Sequence, residues 1–212
     1  MAFLSETGEN VPKAEESLLK GITGVSGEGA HFFLHRTALA LIDATSVVAF
    51  LCGDNIFDAD FLIREGQRQG RSPSFVLSRI RVARMFTLHQ LATSVRSRLK
   101  DLLARERVSG LVISGIVPLF SEKRIPPREA ESLLAETLGS LKTLARSYPL
   151  PCLLSLPASP DPSGPESPIR RQAESACTRI LHLTVSPETL RQGAPHGTHP
   201  SHIHRTDRRP FS

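Results

Sequence analysis

Short apolar runs alternate with longer helical periodicities through most of the chain. Residues 47–51 (VVAFL) and 111–117 (LVISGIV) are almost wholly apolar, which is typical of strands buried in a parallel sheet. Residues 152–156 (CLLSL) and 179–185 (RILHLTV) are similar runs, whereas residues 18–23 offer only a short, weak strand. The pattern therefore predicts a series of buried strands with helical segments between them.

Four stretches between these runs have helical spacing. Residues 30–42 are apolar on nearly all sides, as expected of a helix buried against a sheet. Leucines at steps of three and four predict long amphipathic helices over 87–105 and 127–148. A shorter helix is predicted over 57–70, where an Asp can cap the start and a Gly can end the last turn. Pro73 then opens a short turn.

Strands and helices thus alternate along one core segment. Residues 79–84 (RIRVAR) alternate basic and apolar side chains and predict a half-exposed strand with arginines on its outer face. The alternation implies an α/β fold, in which a mainly parallel sheet is flanked by helices on both faces. We assign residues 21–186 to this core. Residues 1–20 form an acidic lead-in or partner-binding segment, and 187–212 form a His/Arg-rich tail that we predict to be disordered.

The composition is that of a globular protein. Of the 212 residues, 40% are hydrophobic, which is enough for one domain with a sizeable core. Cys52, Cys152 and Cys177 are too widely spaced for a metal motif and lie beside apolar runs, which favours buried, reduced thiols. No apolar run is long enough to cross a bilayer, and the acidic N-terminus lacks the pattern of a signal peptide. We therefore expect a cytoplasmic protein, nuclear in a eukaryote, with no membrane partner.

Residues 24–31 (GVSGEGAH) have the glycine spacing of a phosphate-binding loop. The candidate phosphate contacts are Gly24, Gly27, Gly29, Ala30 and His31. A working loop has Lys and Ser/Thr at its last two positions, where this chain has Ala30 and His31. A glycine-rich turn before a helix also forms for purely geometric reasons, and that interpretation remains open at this point.

Three further motifs follow one another in the order found in the ATPase core of RecA/RadA-type recombinases and their paralogs. Residues 21–185, approximately, resemble that core. Residues 50–58 (FLCGDNIFD) are similar to the strand end that carries the family's catalytic acid, with Asp54 at or near that position. Residues 83–90 (ARMFTLHQ) resemble its strand-to-helix segment that ends in Phe-Thr-x-x-Gln. Residues 111–115 (LVISG) resemble the strand whose end bears the Mg²⁺-associated Asp. The resemblance implies a RecA-like three-layer core.

The resemblance also implies a degenerate ATP site. Ala30 and His31 replace the Walker A Lys and Ser/Thr, and Ser114 replaces the Walker B Asp. The phosphates would lack their direct cation, and Mg²⁺ would lack a ligand and an orienting anion, so efficient phosphoryl transfer should be lost. Asp54 is then the one residue of the implied catalytic site that is retained, so we assign no catalytic residue. We also expect no cofactor. Weak binding of ATP and Mg²⁺ is the alternative.

Seven basic residues provide candidate contacts to DNA phosphates. They lie on the 79–84 strand and in segments 121–127 and 157–171, where the resemblance implies DNA-contacting loops. They are Arg79, Arg81, Arg84, Lys123, Arg124, Arg170 and Arg171. The net charge of +5 and pI of about 9.6 are compatible with a nucleic-acid partner. A solvated basic surface is an equally compatible interpretation, and the chain has few aromatic residues on which bases could stack.

The tail contains a histidine-rich tract. His196, His199, His202 and His204 could bind a transition metal. No Cys or carboxylate cluster accompanies them, so we interpret such binding as adventitious and assign no metal site.

These expectations combine into one function hypothesis. Retained family motifs with lost nucleotide chemistry indicate a non-hydrolysing accessory or adaptor in DNA repair or homologous recombination. Its expected partner is a recombinase or another RecA-fold paralog, with single-stranded DNA as a second candidate. The enzyme-class alternative is a weak or partner-completed DNA-dependent ATPase whose missing cation comes in trans. A RecA-fold scaffold unrelated to DNA is the third hypothesis.

Overall fold

Seven strands form one sheet. A computed structural model of the chain describes residues 21–122, 124–158 and 167–184, with the backbone alone of 202–207. The strands are β1 (Ile22–Gly27), β2 (Val47–Cys52), β3 (Ile80–Arg84), β4 (Val108–Ser114), β5 (Cys152–Ser155), β6 (Arg179–Thr184) and β7 (His202–Asp207). Their order is β3-β2-β4-β5-β1-β6-β7. The first six strands are parallel, and β7 pairs antiparallel with β6.

Helices cover both faces of this sheet. One face carries α1 (Ala30–Leu41), α2 (Ala59–Arg68) and α3 (Pro73–Ser78). The other face carries α4 (Leu88–Thr93), a π-helical turn (Ser94–Arg98), α5 (Leu99–Arg105), α6 (Ile116–Phe120), α7 (Pro127–Ser147) and α8 (Pro168–Ala176). The predicted three-layer α/β architecture with a mainly parallel sheet is confirmed.

Alternation of side chains along the strands divides the core into two clusters. In β2, the side chains of Val48, Phe50 and Cys52 pack towards α1–α3. Ala49 and Leu51 pack towards the opposite helices. All six residues of β2 are buried, and burial on both faces explains why the strand is a continuous apolar run in the sequence.

Four elements differ from the sequence-based expectation. The first strand is not confined to 18–23, because β1 continues to Gly27. The strand predicted over 111–117 ends at Ser114, where Gly115 turns the chain into α6. Pro73 begins the helix α3 rather than a turn, with Ser72 as its N-cap. The helix α8 was not predicted, because it buries only one large apolar side chain, that of Ile169, and its pattern is weak.

Both predicted terminal segments fall largely outside the described residues. Nothing in the structure bears on the lead-in over 1–20. Within 187–212 the described part is β7, and the sequence pattern had assigned no element there.

Candidate functional site at the carboxyl edge of the sheet

The carboxyl ends of β1, β2 and β4 lie on one edge of the sheet, because these strands are parallel. In open parallel sheets, ligands bind at this edge. Residues 28–31 follow β1, Asp54 follows β2, and Ser114 ends β4. The edge therefore gathers the residues for which the sequence predicted a degenerate nucleotide site.

Asp54 and Ser114 are in direct contact. The Ser114 hydroxyl donates a hydrogen bond to Oδ1 of Asp54 at 2.8 Å. The same oxygen accepts from the Cys52 thiol at 3.3 Å and from the backbone N–H of Ile56 at 3.4 Å. An Asp in place of Ser114 would bring a second negative charge to this oxygen, whereas a hydroxyl brings a donor. Oδ1 of Asp54 thus takes its hydrogen bonds from groups of the protein itself.

Two close backbone approaches fix this contact. Gly115 has φ of 72°, in the left-handed region, and a Cβ at this position would lie 2.3 Å from the backbone N of Asp54. The N–H of Gly53 donates to the carbonyl of Ser114 at 2.8 Å. The N–H of Gly115 donates to Oγ of Ser155, also at 2.8 Å. The ends of β2, β4 and β5 are therefore joined into one rigid edge.

The glycine-spaced stretch after Gly24 is mostly strand. Residues Gly24 and Gly27 pair with Ile180 and Leu183 of β6, so the backbone between them is part of the sheet rather than an open loop. A Cβ at Gly24 would lie 2.7 Å from Cδ1 of Leu156. Gly27 has φ of 99°, and a Cβ there would lie 1.9 Å from the carbonyl oxygen of Leu183. Packing and backbone conformation therefore account for both glycines.

The connection from β1 to α1 is too short to surround a triphosphate. Only Glu28 and Gly29 separate the two elements, and α1 begins at Ala30. The position at which the resemblance would place the Walker A Lys is thus a buried methyl group, that of Ala30, and Glu28 adds a charge of the wrong sign for phosphate. With Ser114 already bonded to Asp54, these residues do not fit a nucleoside triphosphate and Mg²⁺.

His35 fixes the start of α2. Its Nδ1–H donates to the carbonyl of His31 at 2.8 Å, and its Nε2 accepts from the backbone N–H of Asp58 at 3.0 Å. A carbonyl only accepts and an amide N–H only donates, so these contacts assign the neutral tautomer protonated at Nδ1. Burial lowers the pKa of His35 to about 4. Asp58 in turn caps α2 by accepting from the N–H of Phe61 at 2.8 Å, as the sequence predicted.

His31 lines a surface depression at this edge of the sheet. The depression has a volume of about 540 Å³ and is lined also by residues 55–60. The His31 and His35 rings are 4.2 Å apart between centroids. Burial lowers the pKa of His31, and its Nδ1 has no hydrogen-bond partner in the described part of the chain. A neutral imidazole cannot replace the phosphate-binding Lys.

Two of the arginines predicted to contact DNA are engaged within the protein. Arg81 forms a bidentate pair with Glu106, with N–O distances of 2.9 and 2.7 Å. This pair raises the pKa of Arg81 and lowers that of Glu106. Nε of Arg170 donates to Glu174 at 2.7 Å, and its Nη1 donates to the carbonyl of Ala158 at 3.1 Å. Both charges are compensated, which weakens the case for them as phosphate contacts.

The remaining predicted basic contacts are spread over the molecule. Arg79 caps the end of α3, and its guanidinium lies 5.8 Å from the centre of the Phe75 ring. Three others are exposed: Arg84 at the end of β3, Arg124 between α6 and α7, and Arg171 on α8. Lys123 lies outside the described residues. The structure therefore does not bring the six described residues of this set onto one continuous surface.

An apolar group that was not predicted from the sequence lies at the free edge of the sheet. Among the described strands, β3 is paired on one side only, with β2. Val82 on β3 is 39% exposed, and Phe86 just after it is 69% exposed. The N–H of Phe86 donates to Oε1 of Gln90 at 2.8 Å, while Thr87 caps α4. The Phe-Thr-x-x-Gln motif is thus a helix cap that leaves the Phe86 ring exposed, and a Thr-x-x-Gln capping pattern was the available signal.

Other classes of site are not indicated by the side chains that are described. No group of three His, Cys, Asp or Glu among them is placed to hold a metal ion. None of the described helices is both long and apolar enough to cross a bilayer. The three cysteines are free and buried, as predicted, and burial raises the pKa of Cys152 to about 12.

Comparison with known proteins does not identify a family. No protein-family model matches the chain, and no curated protein matches it either. The likeness to RecA/RadA-type recombinases therefore rests on the order of the sequence motifs.

Proposed function

We propose that the chain is a non-hydrolysing adaptor of the RecA-like class, which acts in DNA repair or homologous recombination by docking a recombinase or another RecA-fold paralog. The observation that carries this proposal is the hydrogen bond between Ser114 and Asp54. The resemblance puts the family's catalytic acid and its Mg²⁺-associated Asp at these two strand ends. Here the two positions touch, but as a hydroxyl and a carboxylate that need no cation.

The first turn after β1 supports the same proposal. A phosphate-binding loop needs free backbone N–H groups and a cation, whereas Gly24 and Gly27 are paired within the sheet and Ala30 is buried. Pairing and packing within the protein thus occupy the positions at which the resemblance implies contacts to a nucleotide. An α/β core that has lost nucleotide hydrolysis can still bind partners through its surface, which is why we propose a binding role.

The free edge of β3 is the surface that we assign to docking. It combines backbone N–H and C=O groups that no described strand pairs with, the exposed apolar side chains of Val82 and Phe86, and the exposed guanidinium of Arg84. An extended segment of the partner can add to such an edge as a further strand. The basic flank favours a segment in which apolar side chains alternate with acidic ones.

Measurements of ATP binding and ATP hydrolysis test whether the chain lacks ATPase activity. The full chain should show no Mg²⁺-dependent hydrolysis of ATP, with or without single-stranded DNA. The same measurement should be repeated with the partner present, because a partner could supply a cation in trans. Clear hydrolysis that Asp54→Ala abolishes would contradict the adaptor proposal and establish the ATPase alternative.

Partner capture tests the docking edge. The chain should be purified from its native host together with its bound proteins, which are then identified and rebuilt as a purified pair. Phe86→Ser should abolish the pair, whereas Ile56→Ser, which changes an apolar side chain of 41% exposure in the segment after β2, should leave it intact. The proposal fails if the captured partner has no RecA-like fold, or if both variants bind it equally well.

A further inference from the structure

The backbone groups of β3 alternate between its paired side and its free side. The carbonyl of Arg79 accepts a hydrogen bond from β2 at 2.9 Å, and the N–H of Met85 donates one to β2 at 2.8 Å. Successive residues of a strand direct their N–H and C=O groups to opposite sides. The alternate residues therefore present theirs to the free side, and these residues are Ile80, Val82 and Arg84.

Exposed apolar side chains lie on both sides of Val82 along the chain. Among the described residues, the exposed large apolar side chains include Leu77 at 44%, Val82 at 39% and Phe86 at 69%. Leu77 lies on α3, which leads into β3, and Phe86 follows the strand. In an antiparallel pair of β3 strands centred on Val82, position 86 of one copy falls level with position 78 of the other. Each Phe86 is then beside Leu77 of the second copy.

The charges on β3 also suit a second copy of the same strand. Arg81 already pairs with Glu106 at 2.7 Å. In the antiparallel register the two Arg81 residues are diagonal neighbours on one face, about 7–8 Å apart. Each Arg81 is thus close to Glu106 of the second copy as well as to its own, so positive and negative charges alternate across the contact.

Arg84 does not oppose this pairing. It lies opposite Ile80 of the second copy, so the two Arg84 residues are four positions apart along the pair. At about 3.4 Å per residue they are separated by roughly 14 Å, which is more than the screening length of about 8 Å at physiological ionic strength.

We propose that two copies of this chain pair through their β3 edges, in a two-fold symmetric dimer with Val82 opposite Val82 of the second copy. The outward backbone groups of the two strands bond to each other, and the two sheets become one. The dimer covers the edge that we assigned to docking, so a recombinase or paralog displaces the second copy when it binds. This competition rests on the proposed function, whereas the dimer itself does not.

Sedimentation velocity of the purified full chain, with no other protein present, tests the pairing. We expect a dimer that dissociates on dilution. Val82→Lys should abolish the dimer, because like charges directly opposite each other are destabilising, and Val82→Glu should abolish it too. An equimolar mixture of these two variants should recover the dimer, since a two-fold axis at Val82 places the introduced amine opposite the introduced carboxylate.

Ile56→Lys is the matched control. It adds the same charge at a side chain of similar exposure, 41%, in the segment after β2, and it should dimerise as the unmodified chain does. Circular dichroism checks that each variant is folded. Phe86→Ser is a second variant with a mostly exposed side chain, and it should weaken the dimer by at least about tenfold.

Three outcomes would overturn the dimer: an unmodified chain that is monomeric at every concentration, a Val82→Lys variant that dimerises as well as Ile56→Lys, or a mixture of the Val82 variants that stays monomeric. None of them bears on docking, because a monomer keeps its β3 edge free for a different protein. Adding the captured partner tests the competition separately. A complex that still contains two paired copies of this chain would show that the partner binds elsewhere, and would overturn the shared edge.

Discussion

The hydroxyl of Ser114 donates to a carboxylate oxygen of Asp54 at 2.8 Å, across the ends of two adjacent parallel strands. Two carboxylates at this distance would repel each other, and a divalent cation between them would offset the repulsion. A hydroxyl removes both the repulsion and the need for the cation. The contact thus joins the ends of β2 and β4 without placing a second negative charge beside Asp54.

Ser114→Asp should make the stability of the protein depend on a cation. The variant places a second carboxylate against Oδ1 of Asp54, so we expect a loss of about 2–3 kcal/mol in the free energy of unfolding at neutral pH. Added Mg²⁺ or Mn²⁺ should recover part of this loss by lying between the two carboxylates. Urea unfolding with and without the metal measures both effects.

Ser114→Ala is the matched control for this prediction. It removes the donor without adding charge, so we expect a loss of only about 1 kcal/mol and no response to Mg²⁺. Equal stabilities for Ser114→Asp and Ser114→Ala, neither changed by metal, would show that residue 114 does not face Asp54 as described.

His35 should make the protein less stable in mild acid. Its pKa in the folded state, about 4, lies below its unfolded value of 6.5, so the unfolded state takes up the proton first as the pH falls. Its contribution is therefore complete above pH 6.5 and is lost between about pH 6.5 and 4, by about 3 kcal/mol in total. His35→Gln should flatten this part of the stability–pH curve.

Gly115→Ala and Gly70→Ala together should show how much stability is lost when a Cβ is forced against a neighbouring backbone. Both have positive φ, 72° and 73°, but a Cβ at Gly70 meets nothing within 4 Å, whereas one at Gly115 would lie 2.3 Å from the backbone N of Asp54. Gly70→Ala should cost about 1 kcal/mol, the penalty of the left-handed conformation alone. Gly115→Ala should cost at least about 2 kcal/mol more. Similar urea midpoints of unfolding for the two variants would contradict the close approach of Gly115 to Asp54 at the ends of β4 and β2.

The sequence predicted the parallel core better than the turns at its edge. Fully buried strands such as β2 are visible as apolar runs because both faces need apolar side chains. The end of β4 was misplaced because Ile116 and Val117 are apolar for burial in α6, not for pairing in the sheet. Gly24 illustrates the converse: it lies within a strand, and Leu156 and Cys177 on other elements leave no room for a Cβ there.

Contacts between distant residues were beyond the reach of sequence patterns. The Asp54–Ser114 bond joins residues 60 apart, and spacing alone does not show that β2 and β4 are neighbours. The pairing of Arg81 with Glu106 was equally hidden, although it changes a free cation into a neutral pair. The motif order suggested which residues to compare, and the strand order determined which of them touch.

The three cysteine thiols should be unreactive in the folded protein. All three are buried and therefore shielded from the reagent. Burial also raises the pKa of Cys152 to about 12, so the nucleophilic thiolate of this residue is scarce. A thiol-specific reagent at pH 8 should label the native chain only at the rate at which it unfolds. It should label three thiols at once in urea, and rapid native labelling would contradict the described burial.

Arg84 should carry any contact with single-stranded DNA at the β3 edge, because Arg81 is already neutralised by Glu106. In a plot of log affinity against log salt concentration, Arg84→Ala should reduce the slope by about 0.7, the value for one phosphate contact on a single strand. The double variant Arg81→Ala/Glu106→Ala conserves net charge and should leave the slope unchanged. An equal reduction in both variants would place the contact at the Arg81–Glu106 pair instead. No binding even at low salt would remove DNA from the proposed function and leave the protein partner alone.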